Sequence, residues 1–275
     1  MSDNDFTCLL ENPNCVNGIV HVDRGNGLTS AHQCGCLRLR EQQRIVKNAN
    51  IPYDYQNCSF DTFLANNTTQ RQHLTLGKKY VREFPISPAD GLPGLMLIGP
   101  AGTGKTHLAV AILNGLLARG FDGVFMGWLN FLEHVKSTYD RTRPGDSLDY
   151  EAKHIARDAS ILVLDDLGAS KYSEHDEQLV TTLLTERCNQ RRATIITTNL
   201  KDVGLGAVVD PALAWSRAIT PEQYAKRTLE EMIGTRSRSR ISQMCKVVPM
   251  EGQDFRAIIA KEGRKPRPAI ADQTK

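Results

Sequence analysis

The sequence contains no long uninterrupted apolar run and no recognisable export signal. Its longest strongly apolar stretch, at residues 108–118, is interrupted by Asn114 and Gly115. That stretch falls well short of the roughly 20 residues that a membrane-spanning helix needs, so we expect no transmembrane helix and no membrane partner. The first residues, MSDNDF, are polar and acidic and lack the basic and then apolar segments of a secretory signal. We therefore expect a cytoplasmic protein.

The net charge is low, because 34 basic and 31 acidic residues leave only +3. The whole chain therefore does not have the charge of a nucleic-acid-binding protein, and any such surface must be local. Apolar residues make up 40% of the chain and charged residues 24%. These values are typical of globular proteins and exclude a disordered chain or a fibre. The 275 residues provide room for one α/β domain with a small appendage, or for two small domains.

Cysteine is scarce except at the amino end, where four of the seven cysteines fall within 36 residues. They are Cys8, Cys15, Cys34 and Cys36. In a reducing compartment, clustered cysteines hold a metal more often than they form disulfides. Four thiolates can complete a tetrahedral structural Zn²⁺ site, with His21 and His32 as possible substitutes for a cysteine. The spacings C-x6-C and C-x-C are looser than standard zinc knuckles, and the alternative is a set of free thiols in a segment without a core.

From residue 91 onward, short apolar runs alternate with longer amphipathic stretches. Strands that are continuously apolar or β-branched are typical of a sheet covered on both faces. The alternation predicts an α/β fold with a mostly parallel sheet and crossover helices. The predicted strands are 95–98, 123–128, 161–164 and 193–198, and the predicted helices are 106–119 and 176–191.

The segment G-P-A-G-T-G-K-T at 99–106 fits the phosphate-loop pattern G-x-x-x-x-G-K-[ST] and lies between a predicted strand and a predicted helix. Its glycines permit a tight loop whose N–H groups point at phosphate oxygens, and the helix N-terminus adds a favourable dipole. Lys105 would place a charge on the β- and γ-phosphates, and Thr106 would offer its hydroxyl to Mg²⁺. The nucleotide-binding residues predicted here are Gly99, Pro100, Gly102, Thr103, Gly104, Lys105, Thr106 and His107.

Polar residues follow the two later strands of the predicted sheet. Asp165 and Asp166 come directly after the strand at 161–164, and Asn199 follows the strand at 193–198. Carboxyl ends of parallel strands meet at one sheet edge, where the phosphate loop also lies. Asp165 would hold Mg²⁺ through water, Asp166 would orient or deprotonate the attacking water, and Asn199 could reach that water or the γ-phosphate. Many ATPases carry Glu in place of Asp166, and an acid pair alone would indicate only a solvated turn.

An arginine cluster, G-T-R-S-R-S-R, occupies residues 234–240. On a helix, Arg236 and Arg240 share one face and Arg238 points elsewhere. One of these guanidinium groups could stabilise transition-state charge at the ATP of a neighbouring subunit, as an arginine finger does. The alternative is a basic, solvated helix face.

Together these features resemble the AAA+ ATPases of the DnaC/DnaI helicase-loader and IstB transposition-helper family. The resemblance spans about residues 51–256 and rests on IPY, CSFD with Phe63, GPAGTGKTHLA, LVLDDLG, TTN, GTRSRSR and DFR. It implies a P-loop AAA+ domain in an ATP-bound homo-oligomer that loads a replicative hexameric helicase onto single-stranded DNA. By position, Arg240 resembles the trans-acting finger and Arg256 a sensor that reads ATP in cis, while Arg236 competes for either role. The segment at residues 201–224 is longer than the corresponding segment usually is in the family.

The amino-terminal cysteines resemble the zinc module of DnaI-type loaders, which separates this chain from IstB-like and DnaC-like ones. The predicted organisation is a partner-docking zinc module with a linker helix at 1–50, a connecting arm at 51–90, the ATPase domain at 91–260 and a mobile basic tail at 261–275. An IstB-type helper that recruits a transposase to duplex DNA remains an alternative. A zinc-dependent adaptor with a vestigial nucleotide site is another, although Lys105, Thr106 and Asp165 argue against it.

Two segments, 136–143 and 170–172, mix basic and aromatic residues. Such a mixture suits single-stranded DNA, because cations follow the phosphates and rings stack on bases. Both segments fall where the family lines its central DNA channel. The predicted DNA contacts are Tyr139, Lys171 and Tyr172, and the alternative is an exposed helix end and a loop.

Overall fold

The computed structural model describes residues 8–24, 29–139, 157–169, 172–200, 202, 228–252 and 254–256, with the backbone alone at residues 23 and 134–139. Within this part of the chain, every helix is too short or too polar to cross a bilayer. The predicted tail at 261–275 lies outside the described residues.

Among the described residues after position 90, a five-stranded parallel sheet forms the centre of the fold. The strands are β4 Gly94–Ile98, β5 Gly123–Gly127, β6 Ile161–Asp165, β7 Ala193–Thr198 and β8 Cys245–Pro249. Their order in the sheet is β5–β6–β7–β4–β8. Because β4 and β6 both pair with β7, the segments that follow these three strands meet at one edge of the sheet. The four strands predicted from the sequence are present, and β8 is added at the edge.

Helices cover both faces of this sheet. One side is covered by α2 Thr68–Glu83 and α3 Lys105–Ala118, and on the other side are α4 Trp128–Tyr139, α5 Glu174–Asn189, α6 Leu229–Ile233 and α7 Thr235–Met244. Successive strand residues point to opposite faces. Leu97 therefore packs into the core with α3, and Met96 packs into the core with Trp128. Helix α3 is buried on nearly all sides, which explains its largely apolar sequence.

The segment 51–90, which the sequence predicts as a connecting arm, contains the 16-residue helix α2. Asn67 caps this helix, and Gln70 completes a capping box. The buried residues of α2 are Gln70, His73, Gly77 and Tyr80. None of these side chains is aliphatic, and the aliphatic side chains of the helix, Leu74, Leu76 and Val81, are only partly buried against the core.

The amino-terminal segment forms a three-stranded antiparallel sheet, where the sequence shows little strand periodicity. The strands are β1 Cys15–Val16, β2 Ile19–Asp23 and β3 Thr29–Gln33, and α1 Gly35–Asn48 follows them. Asn17 and Gly18 join β1 to β2 with φ values of 51° and 82°. This Asn-Gly pair is the sequence signal for a tight hairpin. The strands are short and largely exposed, so the alternation of apolar residues is weak.

Candidate nucleotide site and amino-terminal cysteine cluster

The phosphate loop leaves β4 and enters α3 through residues that have no Cβ. Gly104, which precedes α3, has φ 89°, a left-handed conformation that glycine adopts without strain. A Cβ on Gly102 would lie 1.9 Å from Asp254 Oδ1, and one on Gly99 would lie 2.0 Å from the carbonyl oxygen of Met250. Larger residues therefore do not fit, and the loop keeps a narrow cradle of the kind that admits phosphate oxygens to backbone N–H groups.

Lys105 lies within this cradle. Its side chain is 5% exposed, and its Nζ donates to the carbonyl oxygens of Gly99 at 2.9 Å and Pro100 at 2.6 Å. Burial lowers the pKa of Lys105 to about 8, against the opposite effect of Asp166 and Asp165. The ammonium group thus remains mostly charged at neutral pH, and it is held where a bound phosphate would be.

Asp165 ends β6 beside the first turn of α3. Its Oδ1 accepts hydrogen bonds from Thr106 Oγ1 at 2.9 Å and from Thr197 Oγ1 at 2.7 Å. Burial raises the pKa of this carboxyl group, while the hydrogen bond from Thr197 lowers it. The structure therefore brings the two predicted magnesium ligands, Thr106 and Asp165, into direct contact. A hydroxyl and a carboxylate are oxygen ligands of the kind that Mg²⁺ prefers.

Asp166 follows in a left-handed conformation with φ 55° and is exposed. Its carboxylate accepts a hydrogen bond from Asn199 Nδ2 at 3.3 Å, and its backbone N–H donates to Thr197 Oγ1 at 2.9 Å. The sequence did not single out Thr197, although it stands in the T-T-N motif. It lies one residue before the end of β7, beside the end of β6.

The segment after β8 returns to the phosphate loop. The N–H of Met250 donates to Ile98 at 2.7 Å, and that of Phe255 donates to Gly102 at 3.0 Å. Arg256 Nη2 lies 3.5 Å from the hydroxyl of Tyr55, and the charge of Arg256 is one cause of the lowered pKa of Lys105. Arg256 thus lies near the phosphate loop of its own chain. Tyr55, which the sequence did not predict, lies there too.

His107, in the first turn of α3, faces the segment at 59–63. Its Nε2 is 3.0 Å from the carbonyl oxygen of Ser59 and 3.2 Å from Thr62 Oγ1, and its ring meets Phe63 edge-on at 5.5 Å. His107 therefore fastens this segment to α3. These contacts place the imidazole against residues 59–63, while its backbone continues the phosphate loop.

The arginine cluster lies on α7. Arg238 forms an ion pair with Asp202 at 2.9 Å, and the two side chains are only 17% and 3% exposed. Arg236 and Arg240 instead line a groove between α5 and α7, where Arg240 Nη1 donates to Gln243 at 2.9 Å. The groove holds a cavity of about 500 Å³. Within the long segment 201–224, the structure describes Asp202 alone.

Of the three predicted DNA contacts, the structure describes the side chain of Tyr172 alone. Its ring packs against Trp128 with 5.7 Å between centroids, and its hydroxyl accepts from the N–H of Gly168 at 3.1 Å. Burial raises the pKa of this phenol. The aromatic ring fills a gap beside Trp128, so this conformation does not present it for stacking on a base. Tyr139 ends α4 and only its backbone is described, and Lys171 lies outside the described residues.

The four amino-terminal cysteines converge on one point. All four Sγ atoms lie within 4.8 Å of one another, with Cys8 3.7 Å from Cys34 and Cys15 3.6 Å from Cys36. Tetrahedral Zn²⁺ with Zn–S bonds of about 2.3 Å separates its sulfur ligands by about 3.8 Å, so the geometry fits zinc.

Local electrostatics also favour a cation between the cysteines. Burial and the neighbouring sulfur atoms raise the pKa of Cys36 to about 12, so four thiolates would coexist only around a positive ion. His21 and His32 are exposed, and His32 Nε2 is 3.2 Å from Ser30 Oγ, outside the cluster of four sulfurs. The geometry of the four cysteines needs neither histidine.

The parallel sheet, the phosphate loop and the adjoining acids define a P-loop ATP-binding domain of the AAA+ class. A family model described as IstB-like ATP binding protein matches residues 37–216, which is more than half of the chain. The chain therefore belongs to the IstB-like ATP-binding family. The predicted fold and the resemblance drawn from the sequence are both confirmed.

Two relatives are replicative helicase loaders named DnaC. The chain is 28% identical to that of Escherichia coli K12 over 163 residues, which cover 59% of this chain and 63% of the relative. It is 25% identical to that of Buchnera aphidicola subsp. Acyrthosiphon pisum (strain APS) over 169 residues, which cover 62% and 66%. The matched segments thus span less than two thirds of these relatives.

Two solved structures have the same fold. A crystal structure of the DnaC helicase loader is 27% identical, with a TM-score of 0.55, and the match covers 73% of this chain and 100% of that one. A crystal structure of DnaI, at 20% identity and a TM-score of 0.53, is matched over 77% of this chain and 98% of its own. The likeness to DnaI concerns the fold alone.

Proposed function

We propose that this protein is an ATP-dependent loader that places a replicative hexameric DNA helicase on single-stranded DNA. The similarity to the DnaC helicase loader, at 27% identity over the full length of that solved chain, carries the proposal. The assembled nucleotide site supports it, because Lys105, Thr106, Asp165 and Arg256 come together from distant parts of the sequence. In a vestigial site, we would not expect these four side chains to remain together.

ATP would be held by the N–H groups of the phosphate loop and by Lys105. Mg²⁺ would be held by Thr106 and Asp165, and it would neutralise charge on the phosphates as they separate. Asp166 is the general base or the residue that orients the attacking water, and its hydrogen bond to Asn199 fixes its carboxylate. These roles assign the hydrolysis of ATP to ADP and phosphate to Lys105, Asp165, Asp166 and Asn199.

Hydrolysis would be completed across a subunit interface of an ATP-bound homo-oligomer. Arg240, or Arg236 beside it, would act as the finger in trans, because both line an open groove on α7. Arg238 is a weaker candidate, because its guanidinium group is already paired with Asp202 inside the same chain. Arg256 would read ATP in cis, in keeping with its position beside Tyr55.

The two arginines can be separated by mixing variants. Arg256→Ala should weaken ATP binding to a single subunit. Arg240→Ala should leave that affinity unchanged within about twofold, but lower turnover by about 10³-fold, as loss of an arginine finger does. Adding Lys105→Ala subunits, which cannot bind ATP themselves but carry Arg240, should restore turnover to Arg240→Ala. Arg82→Ala is the control, because Arg82 lies on α2 with a side chain that is 74% exposed. If the mixture stays inactive while Arg236→Ala is rescued in the same assay, the finger is Arg236.

The amino-terminal module would dock the helicase. Its exposed apolar side chains include Leu9, Leu10, Val16 and Ile19, each between 40% and 61% exposed. Exposed apolar groups on a small module favour contact with another protein. We propose that Zn²⁺ held by the four cysteines keeps this surface in shape. Single-stranded DNA would pass the segments that contain Tyr139 and Lys171, whereas the partly buried Tyr172, whose hydroxyl accepts from the N–H of Gly168, is better suited to supporting the turn after β6.

Co-purification with candidate partners tests the function. With ATP present, the protein should retain a replicative helicase from its own organism and increase the helicase bound to single-stranded DNA circles. Lys105→Ala should lose that increase. Selective retention of a transposase on duplex DNA would instead identify a transposition helper. Complete absence of ATP binding by folded protein would identify an adaptor with a vestigial site.

A further inference from the structure

A threonine hydroxyl on β7 connects the two acids that follow β6. Thr197 Oγ1 donates to Asp165 Oδ1 at 2.7 Å, and the same oxygen accepts from the backbone N–H of Asp166 at 2.9 Å. One side chain therefore contacts the carboxylate assigned to Mg²⁺ and the backbone of the residue assigned to the attacking water. We propose that Thr197 is a positioning residue that orients Asp165 and Asp166 for magnesium binding and ATP hydrolysis. This inference rests on the proposed ATPase function.

The surroundings of Thr197 keep its hydroxyl in place. The residue is 0% exposed and lies in β7, between β6 and β4 in the sheet. Its backbone pairs with Leu97, and its carbonyl oxygen accepts from the N–H of Leu167 at 2.9 Å. A β-branched side chain has restricted rotamers in a strand. The sheet thus determines where the Thr197 hydroxyl lies, independently of the phosphate loop.

Thr106 also donates to Asp165 Oδ1, at 2.9 Å, but it has a different role. Its hydroxyl oxygen is a candidate magnesium ligand and belongs to the phosphate loop. The hydrogen bond from Thr197 comes from another strand, and the Thr197 hydroxyl is itself assigned to neither the nucleotide nor the metal. It can therefore orient Asp165 whatever Thr106 does. Partners that hydrogen-bond to a metal ligand in this way fix its orientation.

The second contact of Thr197 stabilises the turn at Asp166. A non-glycine residue with positive φ is uncommon, and such conformations persist where surrounding contacts support them. At φ 55°, the N–H of Asp166 points away from the strand pairing and is satisfied by the Thr197 hydroxyl. The turn then carries the Asp166 carboxylate to Asn199 Nδ2 at 3.3 Å. Loss of the Thr197 hydroxyl would affect both acids at once.

The test compares Thr197→Val with Thr197→Ser. Valine keeps the branched shape and removes the hydroxyl, whereas serine keeps the hydroxyl. Thr194→Val is the matched control, because Thr194 is equally buried on β7 and its hydroxyl accepts from Arg187 at 2.9 Å. Binding of Mn²⁺ in the presence of ADP is followed by electron paramagnetic resonance, and ADP affinity in EDTA by calorimetry. Turnover of MgATP gives kcat and KM.

We expect Thr197→Val to lower Mn²⁺ affinity about 10- to 100-fold, as loss of a metal-orienting hydrogen bond does. It should lower kcat by at least about tenfold at saturating Mg²⁺, with little change in KM or in the metal-free affinity for ADP. Thr197→Ser should recover most of both losses, and Thr194→Val should change thermal stability alone.

Unchanged Mn²⁺ affinity and kcat in Thr197→Val would overturn the inference. An equal loss of metal-free ADP affinity would overturn it too, because it would indicate a collapsed site. Failure of Thr197→Ser to recover metal affinity would have the same meaning, even if Thr197→Val proved unstable. A wild-type protein that binds ADP and metal without turning over ATP would contradict the proposed function, and the Mn²⁺ measurement would still decide the role of Thr197.

Discussion

Lys105→Ala should lower ATP affinity at least about 100-fold and abolish measurable ATP hydrolysis, because charge-assisted bonds to phosphate are strong in a site with little water. The ammonium group is 5% exposed and held by the loop that would receive the phosphates. Calorimetric titration with MgATP and a phosphate-release assay measure both effects.

The same substitution should not destabilise the nucleotide-free protein. Burial lowers the pKa of Lys105 to about 8, which means that the fold disfavours the charged form of this side chain. Without nucleotide, the Tm of Lys105→Ala should therefore equal or exceed that of the wild type. Saturating MgATP should raise the Tm of the wild type alone, since a ligand stabilises the state that binds it.

Lys79→Ala is the matched control. Lys79 lies on α2, with a side chain 63% exposed and 4.0 Å from Glu83. Its replacement should leave ATP affinity and hydrolysis unchanged, because an exposed ion pair of this kind contributes little. If Lys105→Ala bound MgATP as tightly as Lys79→Ala, the nucleotide site assigned to residues 99–106 would be refuted.

Removal of one cluster cysteine should abolish zinc binding. Protein purified without chelators should contain about one Zn²⁺ per chain, and Cys36→Ser should contain almost none, because the remaining three thiolates leave the tetrahedral site incomplete. Cys36 is 0% exposed at the start of α1, so it has no solvent ligand to replace it. Elemental analysis gives the number of zinc ions per chain, and titration of free thiols gives the number of cysteines that are not bound to metal.

Loss of zinc should unfold the amino-terminal module and leave ATP binding intact. A segment this small lacks the core to fold alone, and structural zinc supplies about 10–16 kcal/mol in comparable peptides. Hydrogen exchange across residues 15–36 should accelerate strongly in Cys36→Ser, while calorimetric ATP affinity changes less than about twofold.

Cys188→Ser is the control for this experiment, because Cys188 lies on α5, away from the cluster. It should retain both zinc and slow exchange. Wild-type protein with a zinc ratio near zero, folded and never exposed to chelators, would exclude the metal site. The four cysteines would then be free thiols held together by β1–β3 and α1.

The elements predicted from the sequence are those in which local chemistry and tertiary burial agree. The predicted strand at 193–198 matches β7 to the residue, and the predicted helix at 106–119 differs from α3 by one residue at each end. Both are rich in apolar or β-branched residues because they are buried on nearly all sides. The glycines of the phosphate loop could also be predicted from the sequence, because their backbone conformation depends on the residues themselves.

Helix α2 was missed although Leu74 and Val81 pack against the core, because its fully buried residues, Gln70, His73, Gly77 and Tyr80, are polar, small or aromatic. Tertiary contacts make these residues interior ones. His73 Nε2, for example, is 2.8 Å from the carbonyl oxygen of Pro249 on β8. Tyr172 is predicted as a DNA contact because it stands beside a lysine, and only the tertiary structure shows that its ring packs against Trp128. Neither neighbour is close in the sequence.

By itself, the sequence determined the class of the domain, the phosphate loop, the acids after β6 and the four cysteines, because these depend on residue types at short spacing. Tertiary structure alone decided which distant groups meet. It joined Thr197 to Asp165 and Asp166, brought Arg256 to Tyr55, and engaged Arg238 with Asp202 while Arg240 stayed on an open groove. Strand order and helix packing determine these contacts, and neither can be deduced from the spacing of residues along the chain.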